Sequence, residues 1–211
     1  MTNLFILNSV IEKDADYSQL INDLTGGFVA SDIEVSEKDE NGEEVVSTRP
    51  HPHADLAAPD FSGKIVFAHL SNPDANLEDV DNIHVSEFKI TKAWNDGVAY
   101  AKSKGATHVA LLNNVVGINP HVLGMALEGN EDKSVIGLGH GGAFIVKSDF
   151  VVEEKYNFWF VDNDIFYAAE DAGTLGFAAV EETAIVQADL TSSKEAFDAA
   201  IAEDFVTAGI E

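Results

Sequence analysis

The sequence predicts an α/β fold: a mostly parallel central sheet flanked by helices, Rossmann-like in layout. Three observations predict it. From residue 64 onward, apolar runs of strand length alternate with segments of helical spacing. Thr107-His108-Val109-Ala110-Leu111-Leu112 is almost continuously apolar, the pattern of a strand covered on both faces. Lys92 to Ser103 places Trp94, Val98 and Ala101 on one helical face and runs into Gly105, a residue suited to the helix end.

The elements follow in order. Leu4-Phe5-Ile6-Leu7 reads as a buried strand. Asp16 to Leu24 has helical spacing through Tyr17, Leu20, Ile21 and Leu24, and Gly26-Gly27 stops it. Asn41-Gly42 sits between Ile33-Glu34-Val35 and Glu44-Val45-Val46, which predicts a hairpin inserted near residues 30–47, with a primed turn. Arg49-Pro50-His51-Pro52-His53 opens a surface loop over 48–62. Lys64 to Ala68 and Asn82 to Val85 read as strands, and a helix begins near Pro120. Strands are expected at Val135–Leu138, Ala143–Val146, Ala178–Val180 and Ala184–Gln187, with a helix over Asp162–Gly173. A last helix, Ser193–Ala208, is preceded by a Ser192-x-x-Glu195 capping box. The expected organisation is a single domain over 1–211. Within it, 1–62 supplies a first strand, helix and hairpin, 63–190 the core, and 191–211 the C-terminal helix.

Composition excludes several function classes. The chain has 211 residues, 45% of them hydrophobic and 23% charged, which is ordinary for a globular domain. Its formal net charge is -25, from 12 Lys and Arg against 37 Asp and Glu. Phosphate recognition in a nucleic acid needs a basic stripe, so no nucleic-acid partner is expected. Arg49 is the sole arginine, and bidentate phosphate forks are correspondingly scarce. With no cysteine there is no disulfide, thiolate nucleophile or sulfur-ligated metal. No apolar run approaches the roughly 18 residues that span a bilayer. Met1-Thr2-Asn3-Leu4-Phe5 lacks the basic start of a secretory signal. A soluble protein is expected, cytoplasmic or virion-associated, with no membrane partner.

Ligands of such sheets bind outside the carboxyl ends of the strands. At one such end the chain reads Leu111-Leu112-Asn113-Asn114-Val115-Val116-Gly117-Ile118-Asn119-Pro120. Further on come Gly141-Gly142-Ala143-Phe144-Ile145-Val146 and Phe158-Trp159-Phe160-Val161-Asp162-Asn163-Asp164, the latter leading to Ala172-Gly173. In order and spacing, these three segments over residues 64–190 resemble family-two glycosyltransferases of the GT-A type, in particular the small glycosyltransferase-like proteins encoded by tailed phages. The resemblance implies transfer of a sugar from a nucleotide-sugar donor. It implies Asn113, Asn114, Gly142 and Ala143 at the donor, Phe158 and Trp159 as a wall for sugar or acceptor, and Asp162 as general base with Asp164 beside it. It also implies a divalent cation, Mn2+ or Mg2+, on a strand-end carboxylate.

The sequence departs from that pattern at two positions. The metal-binding carboxylate falls at Val115, and the arginine often found after the acidic pair falls at Ala168. No metal ligand is therefore assigned, and two carboxylates without a cation repel a diphosphate. Two functions stay open: a transferase acting on a nucleotide sugar, and a catalytically dead GT-A-like domain that binds a glycan or serves as a structural component of a phage particle. Local readings also stay open. Asp162 and Asp164 equally suit the first turn of a helix, and Asn113 and Asn114 a turn. Phe158 and Trp159 equally suit a core. His51 and His53 form a His-Pro-His pair with no third ligand nearby in sequence, and Gly139-His140-Gly141-Gly142 suits either an anion nest or a tight turn.

Overall fold

The computed structural model describes residues 2–38, 42–70, 74–139, 143–178 and 184–210. Among them, seven strands form one sheet in the order β10-β8-β9-β6-β1-β4-β5. These are β1 (Leu4–Val10), β4 (Ile65–His69), β5 (Asp81–His84), β6 (His108–Asn113), β8 (Val135–Gly137), β9 (Phe144–Lys147) and β10 (Leu175–Phe177). All neighbours pair in parallel except β9, which runs antiparallel to β6 and β8. The expected mostly parallel α/β sheet is present.

Period-two alternation divides the apolar side chains between the two faces. Leu4, Ile6, Ala110 and Leu112 enter a core that includes Leu20 and Leu24 of α1 (Ser18–Leu24) and Leu123 and Leu127 of α3 (His121–Leu127). Phe5, Leu7, Val109 and Leu111 enter the other. That core holds Trp94, Val98 and Ala101 of α2 (Ile90–Ser103) and Val161, Ile165 and Ala169 of α4 (Val161–Asp171). The last helix, α5 (Lys194–Ala208), packs Phe197 against this second core. Gly97 lets α2 lie close on the sheet, because a Cβ there would collide with the side chain of Leu7.

The chain starts in the centre at β1 and steps outward to β4 and β5. It then returns through α2 to β6, on the opposite side of β1. Strand order reverses between β1 and β6, so the carboxyl ends of these two strands flank a switch-point crevice. Two small antiparallel pairs complete the fold. One is the hairpin β2 (Ile33–Lys38) with β3 (Glu44–Arg49); the other joins β7 (Val115–Ile118) to β11 (Ile185–Gln187).

Several expectations need correction. The hairpin forms, but β3 continues through Thr48 and Arg49, which were expected in the loop. Asn41 of its turn lies outside the described residues, and Gly42 has a φ of +82°. The helix expected from Lys92 starts at Ile90, whose N–H donates to Asn157 O at 2.8 Å. A strand was expected at Ala178–Val180; β10 instead occupies Leu175–Phe177, and Val180 lies outside the described residues. β11 lies outside the main sheet and pairs with β7, where the sequence led to no expected strand. Ser193 occupies the cap position of α5 with no side-chain cap bond, so the capping box does not form. The Ser192 hydroxyl donates to the Glu12 carboxylate instead.

Candidate functional site

The carboxyl edge of the sheet carries two dissimilar regions. The first lies at the switch point itself. Asn114 separates β6 from β7 in the left-handed region, at φ +55°, a conformation asparagine tolerates better than most residues. Its Oδ1 accepts from Ile11 N at 3.3 Å, Glu12 N at 3.0 Å and the Tyr17 hydroxyl at 2.8 Å. Its Nδ2 donates to Ala188 O at 3.1 Å, and its own carbonyl accepts from Ala188 N at 2.8 Å. Asn8, fully buried on β1, imitates a strand partner for Val115: its Oδ1 accepts from Val115 N and its Nδ2 donates to Val115 O.

Glu12 completes this region. It is 2% exposed and accepts from Thr191 N at 2.7 Å, Ser193 N at 3.2 Å, Asp14 N at 3.3 Å and the Ser192 hydroxyl. Burial pushes its carboxyl up, but the bonds from Ser192, Thr191, Ser193 and Asp14 outweigh burial and hold the group at about 2. The segment 188–193 is thereby tied down across the end of β1.

The second region is a cavity of about 410 Å3 lined by aromatic rings. Ile90 and Trp94 of α2, Asn113 at the end of β6, Gln187 of β11 and Phe197 of α5 contribute to its walls. The run from Phe158 to Asn163 closes it. Asp204 on α5 fixes that run. It is 1% exposed, and its carboxylate accepts from the N–H groups of Asn157 at 2.6 Å and of Phe158 and Trp159 at 2.7 Å each. Phe160, the cap residue of α4, sits at φ +64°, a strained conformation for a bulky residue held beside the cavity. Gln187 Nε2 donates to Asn113 O at 2.8 Å.

The sequence-chosen residues distribute unevenly between these regions. Asn113, Phe158, Trp159 and Asp162 line the aromatic cavity together. Trp159 is 47% exposed, a wall rather than core. Asp162 stands in the first turn of α4, where its Oδ1 accepts from Asn163 N at 3.0 Å. Asp164, in the same turn, is not part of the cavity lining and lies within electrostatic reach of Lys155. Asn114 is absorbed by the switch-point bonds. Ala143 is 2% exposed in the core with Leu138 and Ile145, away from the cavity lining. Gly142 and the expected turn at His140-Gly141-Gly142 lie outside the described residues.

Sequence reasoning missed Trp94 as a wall residue, Phe197, and Asp204 as the anchor. One signal was available for Asp204: it lies seven residues after Phe197 and four after Ala200, on the helix stripe that should be apolar.

The strand end does not suit a divalent cation. Val115 is fully buried, and all the Oδ1 capacity of Asn114 serves protein donors. The histidine pair does gain a neighbour: the His121 ring lies 4.7 Å from that of His53, which lies 4.9 Å from that of His51. Among the described residues, however, no group of three His, Asp or Glu is placed to hold a metal ion. A larger cavity of about 840 Å3, lined by Asp23, Asp32, Glu34 and His51 among others, opens on the opposite face, beside α1 and the hairpin. Asp23 there is structural, accepting from Ile118 N at 3.1 Å and Gln19 Nε2 at 2.6 Å, and burial pushes its carboxyl up.

Fold and site together define an α/β domain with a ligand-sized aromatic crevice at the carboxyl edge of its sheet. No family model and no curated protein matches the chain. It is similar in fold to the crystal structure of a mycobacterial protein, with a TM-score of 0.56 and 9% identity, over 100% of this chain and 76% of that one. At that identity the likeness concerns the fold alone. Among the described residues, no helix is long and apolar enough to cross a membrane.

Proposed function

We propose that this chain is a glycosyltransferase-like domain of GT-A type that binds a neutral saccharide in the aromatic cavity and does not transfer it efficiently from a nucleotide donor. One observation carries the reading. Asn113, Phe158, Trp159 and Asp162 belong to two of the segments that resemble family-two glycosyltransferases, and they line one cavity although about 45 residues separate the segments. The volume of about 410 Å3 lies in the range of small-molecule sites, and rings with a few polar groups suit a sugar's apolar face and hydroxyl edge.

The lining also favours a neutral ligand over a diphosphate. Among the described residues, it contains no lysine, arginine or histidine, and its one ionisable residue is Asp162. A phosphate brought there would meet a carboxylate and no cation. With Val115 buried and Asn114 engaged, the strand end supplies no compensating ligand for Mn2+ or Mg2+.

The chain's two tryptophans, Trp94 and Trp159, both line the cavity, so intrinsic fluorescence reports on it directly. Saccharides should change the emission saturably, Trp159→Ala should abolish the response, and uridine diphosphate with manganese should leave it unchanged. Manganese-dependent binding of nucleotide sugars without a response to free saccharides would overturn the reading. A second reading, residual transfer, has one observation in its favour: Asp162 stands half-buried at the cavity, where a base for an acceptor hydroxyl is needed. Turnover of a nucleotide sugar that Asp162→Asn abolishes would establish it.

A further inference from the structure

Among the described residues, two polar atoms at the aromatic cavity have no partner. Trp94 is 2% exposed, and its Nε1–H finds no acceptor; Asn113 Oδ1 is likewise buried and finds no donor. Both residues line the cavity. A buried donor or acceptor left unpaired costs free energy, and native structures rarely keep one without a reason. Around them several polar groups are satisfied: Asp204 holds three backbone N–H groups, Gln187 holds the Asn113 carbonyl, and Asn157 Nδ2 donates to Ala200 O at 3.3 Å. Among the buried atoms of the described lining residues, the deficit is one donor and one acceptor beside a set of apolar rings.

We infer that the cavity selects a 2-acetamido sugar, an inference that rests on the saccharide-binding reading above. Trp94 offers only a donor, and Asn113 Oδ1 only an acceptor. An acetamido group supplies the complement in four heavy atoms, a carbonyl oxygen for the indole N–H and an amide N–H for Asn113. Its methyl group suits the surroundings of Ile90, Phe158, Phe160 and Phe197. A plain hydroxyl at the same carbon brings no apolar end to those rings. An acidic sugar would face Asp162 with no cation among the described lining residues. Both unpaired atoms are closed to water in the empty cavity. The acetamido group therefore reaches them as the ring walls give, and such rotamer changes on binding are common.

The test is a tryptophan-fluorescence titration of the full chain with N-acetylglucosamine, glucose, glucosamine and uridine, with ligand-observed NMR on the same mixtures. N-acetylglucosamine should bind about tenfold tighter than glucose or glucosamine, and its acetamido methyl should receive the strongest saturation transfer. Trp94→Phe keeps a ring but removes the N–H. It should reduce that preference to about threefold or less. Should Trp94→Phe fail to fold, Asn113→Ala, at a partly exposed position, is expected to lose the preference in the same way. Equal affinity for glucose and N-acetylglucosamine would overturn this inference and leave the saccharide reading standing. Tighter binding of glucosamine or of uridine would also overturn it. Failure of every saccharide to bind would remove both.

Discussion

Asn113 and Asn114 are adjacent in sequence and belong to opposite kinds of region. Asn114 sits in a switch-point knot in which Asn8, Glu12, Tyr17 and the 188–193 segment satisfy one another. Asn113 sits at a cavity where its own Oδ1 and the Trp94 N–H are unpaired. A saturated polar network rigidifies a fold and has little left to offer a ligand, whereas an unsaturated one keeps bonding capacity for a partner. In this molecule the crevice that the topology marks for a ligand has been turned into structure. The unpaired acceptor lies one residue away, on the face covered by α2, α4 and α5.

The largest effect should come from restoring at Val115 the carboxylate that the resemblance leads one to expect. Val115 is fully buried among Ile118, Ala184 and Ile185, so Val115→Asp places an unpaired charge in a core and should cost about 4 kcal/mol. Chemical denaturation measures the loss, and calorimetry with manganese should detect no new cation site. If Val115→Asp instead folds normally and binds manganese, the knot is a dormant catalytic centre and the contrast between the two regions fails.

Glu12→Ala is next. It strands the N–H groups of Thr191 and Ser193 and the Ser192 hydroxyl, and should destabilise the chain by about 3 kcal/mol. The pH dependence sharpens this. The Glu12 carboxyl is lowered from 4.5 to about 2 in the folded chain, so its stabilisation is complete above about pH 4.5 and is lost as pH falls toward 2. Glu12→Ala should flatten the stability profile in that window. Burial lowers His69, His108 and His121, so their contribution is present above their ordinary value of 6.5 and decays below it. That higher window should survive in Glu12→Ala, and a profile flattened there as well would mean that the knot supports more than the 188–193 segment.

The parts of this comparison differ in how far the sequence disclosed them. The central strands β1 and β6 and helix α2 were legible because burial on both faces leaves continuous apolar runs and burial on one face leaves a 3.6-residue stripe. β7 was hidden because Asn113-Asn114 reads as the turn that ends β6, and Val115-Val116-Gly117-Ile118, directly before Asn119-Pro120, is too short to register as a strand of its own. The capping box failed because Ser192 has a better partner 180 residues away in Glu12, a contact that local pattern cannot register. In the cavity, Phe158, Trp159 and Asp162 were visible as a motif. Trp94 and Phe197 read as ordinary members of helical stripes, since their common cavity exists only once α2 and α5 pack on the same face of the sheet.

The smallest effect is the most discriminating, because it compares two alanine substitutions at neighbouring asparagines. Asn114→Ala removes the acceptor for Ile11 N, Glu12 N and the Tyr17 hydroxyl and puts an unsuited residue at φ +55°; a loss of about 2 kcal/mol is expected. Asn113→Ala removes an oxygen that has no partner among the described residues, so stability should change by less than about 0.5 kcal/mol. Its cost should appear only with ligand, as loss of the preferential fluorescence response to N-acetylglucosamine over glucose. Asn114→Ala should keep that response at temperatures where it remains folded, because its bonds lie outside the cavity lining. Equal destabilisation by the two substitutions would show that Asn113 is also spent on the fold, and the cavity would then lose its claim to an unused acceptor.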